Sequence, residues 1–230
     1  ANSSIVIRNS IIYGRVDFKN TVFHKPVIFE NTFFVENASF ENSTFEEDTA
    51  FAHSMFMKTA SFADSRFSAK ANFLQTYFNG SSSFSGTQFG GIADFSLARF
   101  YSDVQFASSQ FASNAVFNET DFRGRANFIG SLFSQAAQFN KTTFEKETSF
   151  EKANFAGAVH FFGPVFNSTA NFISAQFAED ASFYEAQFMS LAFFAGARFS
   201  DLAEFKDCHF PAGVDFKESD FGIDATFCNT

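Results

Sequence analysis

Phenylalanine recurs along this chain at a spacing that alternates between five and six residues without interruption. The series runs from Phe18 to Phe227, and of the 42 phenylalanines only three lie outside it, at Phe33, Phe162 and Phe193. The full repeat therefore consists of one step of five and one step of six. An internal repeat this regular constrains the fold more than any local feature, because each unit must bury its apolar side chain against its neighbours.

A small residue stands two positions before each phenylalanine of the series, as Ala71 stands before Phe73 and Ala126 before Phe128. Side chains at i−2 and i point to the same face in an extended chain. A helix would require returns after three and four residues, which steps of five and six do not provide. Each unit is therefore predicted to be a very short extended segment, with one small and one large residue inward, followed by a turn.

Segments of two or three residues cannot bury their own faces, so the chain is expected to wind as a solenoid. The units at residues 71–75 (ANFLQ), 126–130 (ANFIG) and 170–174 (ANFIS) resemble the pentapeptide repeat family. That family repeats a small residue, a polar residue, a central Leu or Phe, and two polar or turn residues. The resemblance covers essentially residues 5 to 229.

The resemblance implies an all-β fold, a right-handed quadrilateral β-helix with four units in each coil. Every second unit here carries one extra residue, so a coil should contain two shorter and two longer units, and two of its four corners should be longer. Running the series backwards reaches Ile12 and Ile7, which gives about ten coils and a rod ~50 Å long at ~4.8 Å per coil. Residues 1–230 are predicted to form a single solenoid domain.

The formal net charge is −9, and the charges are concentrated at opposite ends of the chain. Residues 1–25 contain four Lys or Arg and one acid, whereas residues 201–230 contain seven acids and two Lys. No helical segment flanks the series at either end, so both ends of the β-helix are expected to be uncapped, and open strand edges are templates for pairing. The residues expected to make end-to-end contacts are Arg8, Arg15, Lys19, Asp215, Glu218, Asp220 and Asp224.

Two cysteines, Cys208 and Cys228, are separated by slightly less than one coil. The spacing would place them on adjacent coils. Cys208 occupies an inward position and Cys228 follows a core phenylalanine. A disulfide between them and the use of both as small packing residues are the two interpretations.

No arrangement of residues indicates catalysis or cofactor binding. The four histidines, His24, His53, His160 and His209, are far apart, and no glycine-rich phosphate loop is present. No apolar run approaches the ~18 residues of a membrane span. We therefore expect no enzyme, no cofactor, no metal, no nucleic-acid partner and no membrane span.

Asn-x-Ser/Thr sequons are frequent, although the repeat itself creates some of them by placing Ser or Thr at small inward positions. The alternative interpretation is a glycan-bearing outer surface on an exported protein. The candidate N-glycosylation sites are Asn2, Asn37, Asn42, Asn79, Asn118, Asn140 and Asn167.

The functional expectation is a non-enzymatic structural protein at the cell surface or outside the cell, whose copies stack head to tail into a filament. A heterologous contact that does not close generates such an open assembly. The resemblance implies an alternative, since some pentapeptide repeat proteins are acidic rods that mimic DNA and bind type II topoisomerases, which would place this chain in the cytoplasm. Arg123 and Arg125 interrupt the acidic surface that a mimic needs. A rigid spacer or adhesion stalk is the third interpretation.

Overall fold

The computed structural model describes residues 3–229, and in this part of the chain it consists of 38 parallel strands and no helix. The chain winds in coils, and each coil passes four walls in turn, named here the first to fourth wall. Each strand pairs with the strand one coil further on, as Ala71 pairs with Ala93. The all-β solenoid predicted from the phenylalanine spacing, with about ten coils, is confirmed.

The first and second walls belong to one sheet of 18 strands, because two long strands, β1 (Ile5–Ile12) and β4 (Val27–Phe34), cross the corner between them. The other strands of the first wall are β7 (Thr49–Ala50), β11 (Ala71–Asn72), β15 (Ala93–Asp94), β19 (Ala115–Val116), β23 (Ala137–Gln138), β27 (Val159–His160), β31 (Ala181–Ser182), β35 (Ala203–Glu204) and β38 (Ala225–Thr226). Those of the second wall are β8 (Met55–Phe56), β12 (Tyr77–Phe78), β16 (Arg99–Phe100), β20 (Asp121–Phe122), β24 (Thr143–Phe144), β28 (Val165–Phe166) and β32 (Gln187–Phe188).

The third and fourth walls are separate sheets of 10 strands each. The third wall contains β2 (Val16–Asp17), β5 (Ala38–Ser39), β9 (Ala60–Ser61), β13 (Ser82–Ser83), β17 (Val104–Gln105), β21 (Ala126–Asn127), β25 (Thr148–Ser149), β29 (Ala170–Asn171), β33 (Ala192–Phe193) and β36 (Val214–Asp215). The fourth wall contains β3 (Val22–Phe23), β6 (Thr44–Phe45), β10 (Arg66–Phe67), β14 (Gln88–Phe89), β18 (Gln110–Phe111), β22 (Leu132–Phe133), β26 (Asn154–Phe155), β30 (Gln176–Phe177), β34 (Arg198–Phe199) and β37 (Asp220–Phe221).

The core of the rod consists of four columns of phenylalanine rings, one behind each wall. Within a column the rings stack, as Phe73 does on Phe95 with centroids 4.7 Å apart and planes inclined by 1°. Rings behind the first and third walls meet edge to face across the rod, as Phe73 meets Phe84 at 5.3 Å and 85°. Both arrangements suit the aromatic quadrupole and add to the free energy gained from burial.

The three phenylalanines outside the series point outward. Phe33 and Phe162 are 39% and 42% exposed, and Phe193 is half-buried, whereas series members such as Phe73 are fully buried. The inward and outward assignments made from the spacing are therefore correct.

The five-residue corners share a backbone feature that the phenylalanine spacing does not reveal. The second residue after each inward Ile7 or phenylalanine of the first and third walls has a positive φ, between 50° and 66°, at every eleventh position from Asn9 to Asn229. Only four of these positions are glycine, namely Gly86, Gly130, Gly163 and Gly196. The turn is closed by a backbone hydrogen bond, such as Thr76 N–H to Phe73 O at 3.1 Å.

A hydroxyl group follows the turn at many of these corners and joins consecutive coils. Thr76 Oγ1 donates to Phe51 O at 2.8 Å, although that carbonyl also accepts the N–H of Ser54. The same bond to a phenylalanine of the preceding coil is made by Ser43, Ser54, Ser65, Thr87, Ser109, Thr120, Ser131 and Thr142. These small inward residues therefore satisfy buried carbonyls as well as fill space.

Candidate functional site

Most inward side chains of the first and last described coils are only partly buried, although Phe23 is buried, whereas those of the coils between them are enclosed. Phe128, in the middle of the rod, is fully buried, but Phe227 is 44% exposed. Other partly buried residues packed on the core are Ile5, Ile7, Ile12, Val16, Phe18, Phe210, Val214, Phe216, Phe221 and Ala225. Each end of the described rod therefore presents an apolar face of inward side chains, named here an end face.

The cations predicted for end-to-end contact lie on the outer walls of the first coil and pair with acids of their own chain. Arg8 Nε lies 2.6 Å from Glu30 Oε2, and Arg15 Nη2 lies 3.0 Å from Asp17 Oδ2. Lys19 Nζ lies 2.6 Å from Glu41 Oε2. The hydrogen bond from Lys19 is the main reason that the pKa of Glu41 is lowered. These cations therefore bridge the first coil to the second or pair within the first coil.

The acids predicted for the opposite end lie on the last coil, and most of them are exposed. Asp215 is half-buried and accepts a hydrogen bond from the backbone N–H of Lys217 at 2.8 Å. Asp224 accepts one from the N–H of Ala225 at 2.8 Å. Glu218 lies 3.6 Å from Lys217 Nζ, and Asp220 is exposed on the fourth wall. This end of the rod therefore carries negative charge around its apolar face.

Stacked parallel coils, four phenylalanine columns and a small residue before each ring together define the architecture of this rod. The family model described as pentapeptide repeats (9 copies) matches residues 7–55 and 84–132. The chain therefore carries pentapeptide repeats over these two segments. No curated protein and no solved structure matches the sequence.

The second wall of this pentapeptide repeat protein carries an exposed apolar surface in its first coils. The side chains immediately before and after each inward residue form two outward columns. In the first five coils the apolar members of these columns are Ile11, Tyr13, Phe33, Val35, Met55, Met57, Tyr77 and Tyr101, named here the second-wall strip. Tyr13 is 73% exposed and Ile11 54%. The phenylalanine series reports inward positions only, so this strip becomes apparent when outward residues at equivalent positions of successive coils are compared.

The sequons of the protein differ in how their two key side chains are placed. Asn42, Asn79 and Asn167 and the hydroxyl residues of their sequons are exposed or half-buried. In the sequons of Asn37, Asn118 and Asn140 the Ser or Thr is buried. Thr120 and Thr142 bind phenylalanine carbonyls of the preceding coil, as their inward positions require. Asn2 lies outside the described residues.

The two cysteines of the protein are free thiols, so the disulfide between Cys208 and Cys228 is not formed in this structure. Cys208 is buried and its Sγ donates to Phe183 O at 2.8 Å, whereas Cys228 is exposed. Inward and outward positions of the repeat point the two side chains in different directions. Burial raises the pKa of the Cys208 thiol to about 12.

The polar side chains of the described residues are spread along the walls. No three His, Cys, Asp or Glu side chains within residues 3–229 form a cluster that could hold a metal ion. His24 Nδ1 lies 2.8 Å from Glu46 Oε2 on the fourth-wall side, in an exposed hydrogen bond. In the same described part of the chain, no helix has the length and apolar character needed to cross a bilayer.

A shallow groove lies at the corner between the first and second walls near residue 163. Its lining includes Lys141, Gly163, Glu185 and His209. Lys141, Gly163 and Glu185 occupy the same corner position in three successive coils. Because glycine has no side chain, the groove is the space that a side chain at position 163 would fill. The groove is open, and its charged groups come from separate coils.

Proposed function

We propose that this pentapeptide repeat protein is a non-enzymatic structural subunit whose rods stack head to tail into a filament outside the cell. The observation that carries the proposal is the pair of apolar end faces. Four columns of inward apolar side chains run through the rod. In the first described coil three of them end in partly exposed side chains, and in the last described coil all four do. A coil of a second copy placed in the same register would continue all four columns.

The backbone supports the same contact. In parallel sheets, the N–H and C=O groups of the outermost strands point toward the next strand position. The long strand β1 offers eight residues of this edge, and its present partner β4 matches it through Ile7 with Phe29 and Ile12 with Phe34. Stacking of a last coil on a first coil joins two different end faces at each junction. Such a heterologous contact, when it does not close into a ring, generates a fibre.

Charge influences the relative orientation of the stacked subunits more than the affinity of the contact between them. Arg8, Arg15 and Lys19 are already paired with acids of their own chain, and exposed pairs of this kind are worth at most ~1 kcal/mol each. The last coil keeps exposed Glu218, Asp220 and Asp224. Attraction between unlike ends therefore favours head-to-tail over tail-to-tail approach, and it should weaken with salt.

A pair of substitutions on one strand tests the role of the end face. Ile7 points inward and is half-buried at the first end face, whereas its neighbour Val6 points outward and is 47% exposed. Ile7→Lys should abolish fibres in negative-stain electron microscopy, and Val6→Lys should leave them intact. Equal fibre formation by both variants would contradict the proposal, as would discrete rods in the wild type.

The proposed extracellular location is supported by the exposed sequons at Asn42 and Asn167, which lie on the outer surface of the rod. Intact mass of the protein from its native source should show additions in hexose steps at these asparagines. An unmodified mass would remove the support for export.

The filament is preferred to a DNA mimic because cations interrupt the acidic surface along the rod. Arg99 and Arg123 follow one another on the second wall, and Arg125 lies on the adjoining corner. A DNA mimic requires negative charge sustained along the rod, like that of the phosphates of duplex DNA. Inhibition of a type II topoisomerase by the purified chain, without fibres, would favour the mimic instead.

A further inference from the structure

The second-wall strip is a two-column surface that the end-face proposal does not use. Its members lie in register from coil to coil, because Ile11 pairs with Phe33, Phe33 with Met55 and Met55 with Tyr77. One column consists of the residue before each inward side chain and the other of the residue after it. Exposed apolar surfaces that continue over several coils mark interaction sites in soluble proteins.

We propose that the second-wall strip binds the same strip of a second copy, with the two rods parallel and related by a two-fold axis along the rod. Such an axis exchanges the two columns, so each residue before an inward side chain meets the residue after it in the partner copy. Ile11 would meet Tyr13, Phe33 would meet Val35, and Met55 would meet Met57. Every one of these contacts occurs twice, as in any isologous interface.

The charges that continue the two columns favour this arrangement. In the sixth coil the two positions are Asp121 and Arg123, which form an ion pair with Arg123 Nε 2.8 Å from Asp121 Oδ2. The two-fold axis places each of them opposite the oppositely charged residue of the partner copy. The four groups then form an alternating network in which no like charges face each other.

The fifth coil offers a second complementary contact between the two copies. Arg99 would meet Tyr101 of the partner copy, and both residues already take part in cation–π contacts within one chain. The Arg99 guanidinium lies 5.7 Å from the Tyr77 ring, and that of Arg123 lies 4.7 Å from the Tyr101 ring. Tyrosine and arginine are enriched in the cores of protein interfaces.

An antiparallel pairing explains these residues less well. A two-fold axis perpendicular to the rod and centred on Met55 would place Ile11 opposite Arg99. Asp121 and Arg123 would then lie beyond the first coil of the partner copy, without their complements. The parallel arrangement uses all six coils from Ile11 to Arg123.

The pairing and the end-to-end stacking use different surfaces, so either can fail alone. Light scattering on an Ile7→Lys background isolates the pairing, because that variant is expected to block stacking. The protein should be produced without glycans, since the sequon residue Asn79 occupies the column between Met57 and Tyr101, beside the strip. The measured mass should be twice the 25.6 kDa of one chain.

Phe33→Lys on this background should return the mass to that of one chain. Leu132→Lys is the matched control, since Leu132 is an outward apolar residue on the opposite, fourth wall. A single-chain mass before any strip substitution would overturn the proposal, and so would a dimer that Phe33→Lys leaves unchanged. A monomer that binds phosphatidylcholine vesicles through Phe33 would also overturn it, because a lipid surface would then cover the strip.

Oxidative cross-linking distinguishes the two orientations. In a Cys228→Ser background, chains carrying Met55→Cys should cross-link to chains carrying Met57→Cys when the two are mixed. Each variant alone should cross-link at least several-fold less. The parallel arrangement would be overturned if each variant alone cross-linked efficiently and the mixture gave no higher yield of cross-linked dimer than either variant alone.

Discussion

Phe128 stacks on Phe150 of the following coil with ring centroids 4.7 Å apart and planes inclined by 6°. It also stacks on Phe106 of the preceding coil at 4.9 Å. A ring in the middle of the rod therefore contributes to a continuous column, and its removal leaves a gap that fixed neighbours on both sides cannot fill.

Phe128→Ala should lower the free energy of unfolding by ~3–5 kcal/mol, the usual cost of a cavity left by a large core side chain. Phe162→Ala is the control, because Phe162 is outward-facing and 42% exposed. Guanidinium denaturation of both variants provides the measurement. A loss below ~1 kcal/mol for Phe128→Ala would be incompatible with its stacked position.

The positive φ at every five-residue corner predicts opposite effects of glycine at adjacent positions. Ser108 has a φ of 57°, whereas the φ of its neighbour Ala107 is not positive. Ser108→Gly should raise the free energy of unfolding by ~0.5–1 kcal/mol, because glycine adopts this conformation without steric cost. Ala107→Gly should lower it by a similar ~0.5–1 kcal/mol. Equal effects of the two substitutions would show that the corner conformation does not discriminate between residues.

The hydroxyl groups between coils should contribute measurably to stability. Thr76→Val keeps the shape of the side chain but removes the bond from Oγ1 to Phe51 O, so a loss of ~0.5–1.5 kcal/mol is expected. The Phe51 carbonyl keeps the N–H of Ser54 as a partner, which limits the cost. Thr143→Val on the outer side of β24 should change stability by less than ~0.5 kcal/mol. Thermal denaturation that ranks Thr143→Val as the more damaging change would contradict this assignment.

The two thiols should differ sharply in reactivity. A thiol reagent should modify only Cys228 in the folded protein at pH 8, and both cysteines after unfolding in guanidinium. The pKa of Cys208 is raised from 9.0 to about 12 by burial, so it stays protonated in the folded state while the unfolded thiol ionises. Its contribution to stability is therefore complete below pH 9 and is lost as the pH rises from 9 toward 12. Rapid modification of two thiols in the folded protein would refute the buried position of Cys208.

Much of the fold is predictable from the spacing of Phe73, Phe78 and Phe84, because steps of five and six leave only extended segments joined by corners. The positive φ at Gln75 is not predictable in the same way. Of the equivalent corner positions along the rod, 17 carry residues other than glycine, so the conformation is imposed by the equivalent turns of the neighbouring coils. Local composition does not report a conformation that neighbouring coils impose.

The candidate surfaces were less accessible to sequence reasoning than the core. Summed charges placed Arg8 and Lys19 at one end of the rod, but only the register between successive coils shows that Glu30 and Glu41 lie beside them. The second-wall strip likewise depends on which outward residues become neighbours. Both properties arise from contacts between coils, and these are set by the whole repeat.

The measurement that tests the central proposal most directly is negative-stain electron microscopy of the wild-type chain beside Ile7→Lys. We predict wild-type fibres far longer than the ~50 Å that ten coils span at ~4.8 Å each, and short discrete rods for the variant. Discrete rods of one length for the wild type, unchanged by Ile7→Lys, would contradict end-to-end stacking of this pentapeptide repeat protein.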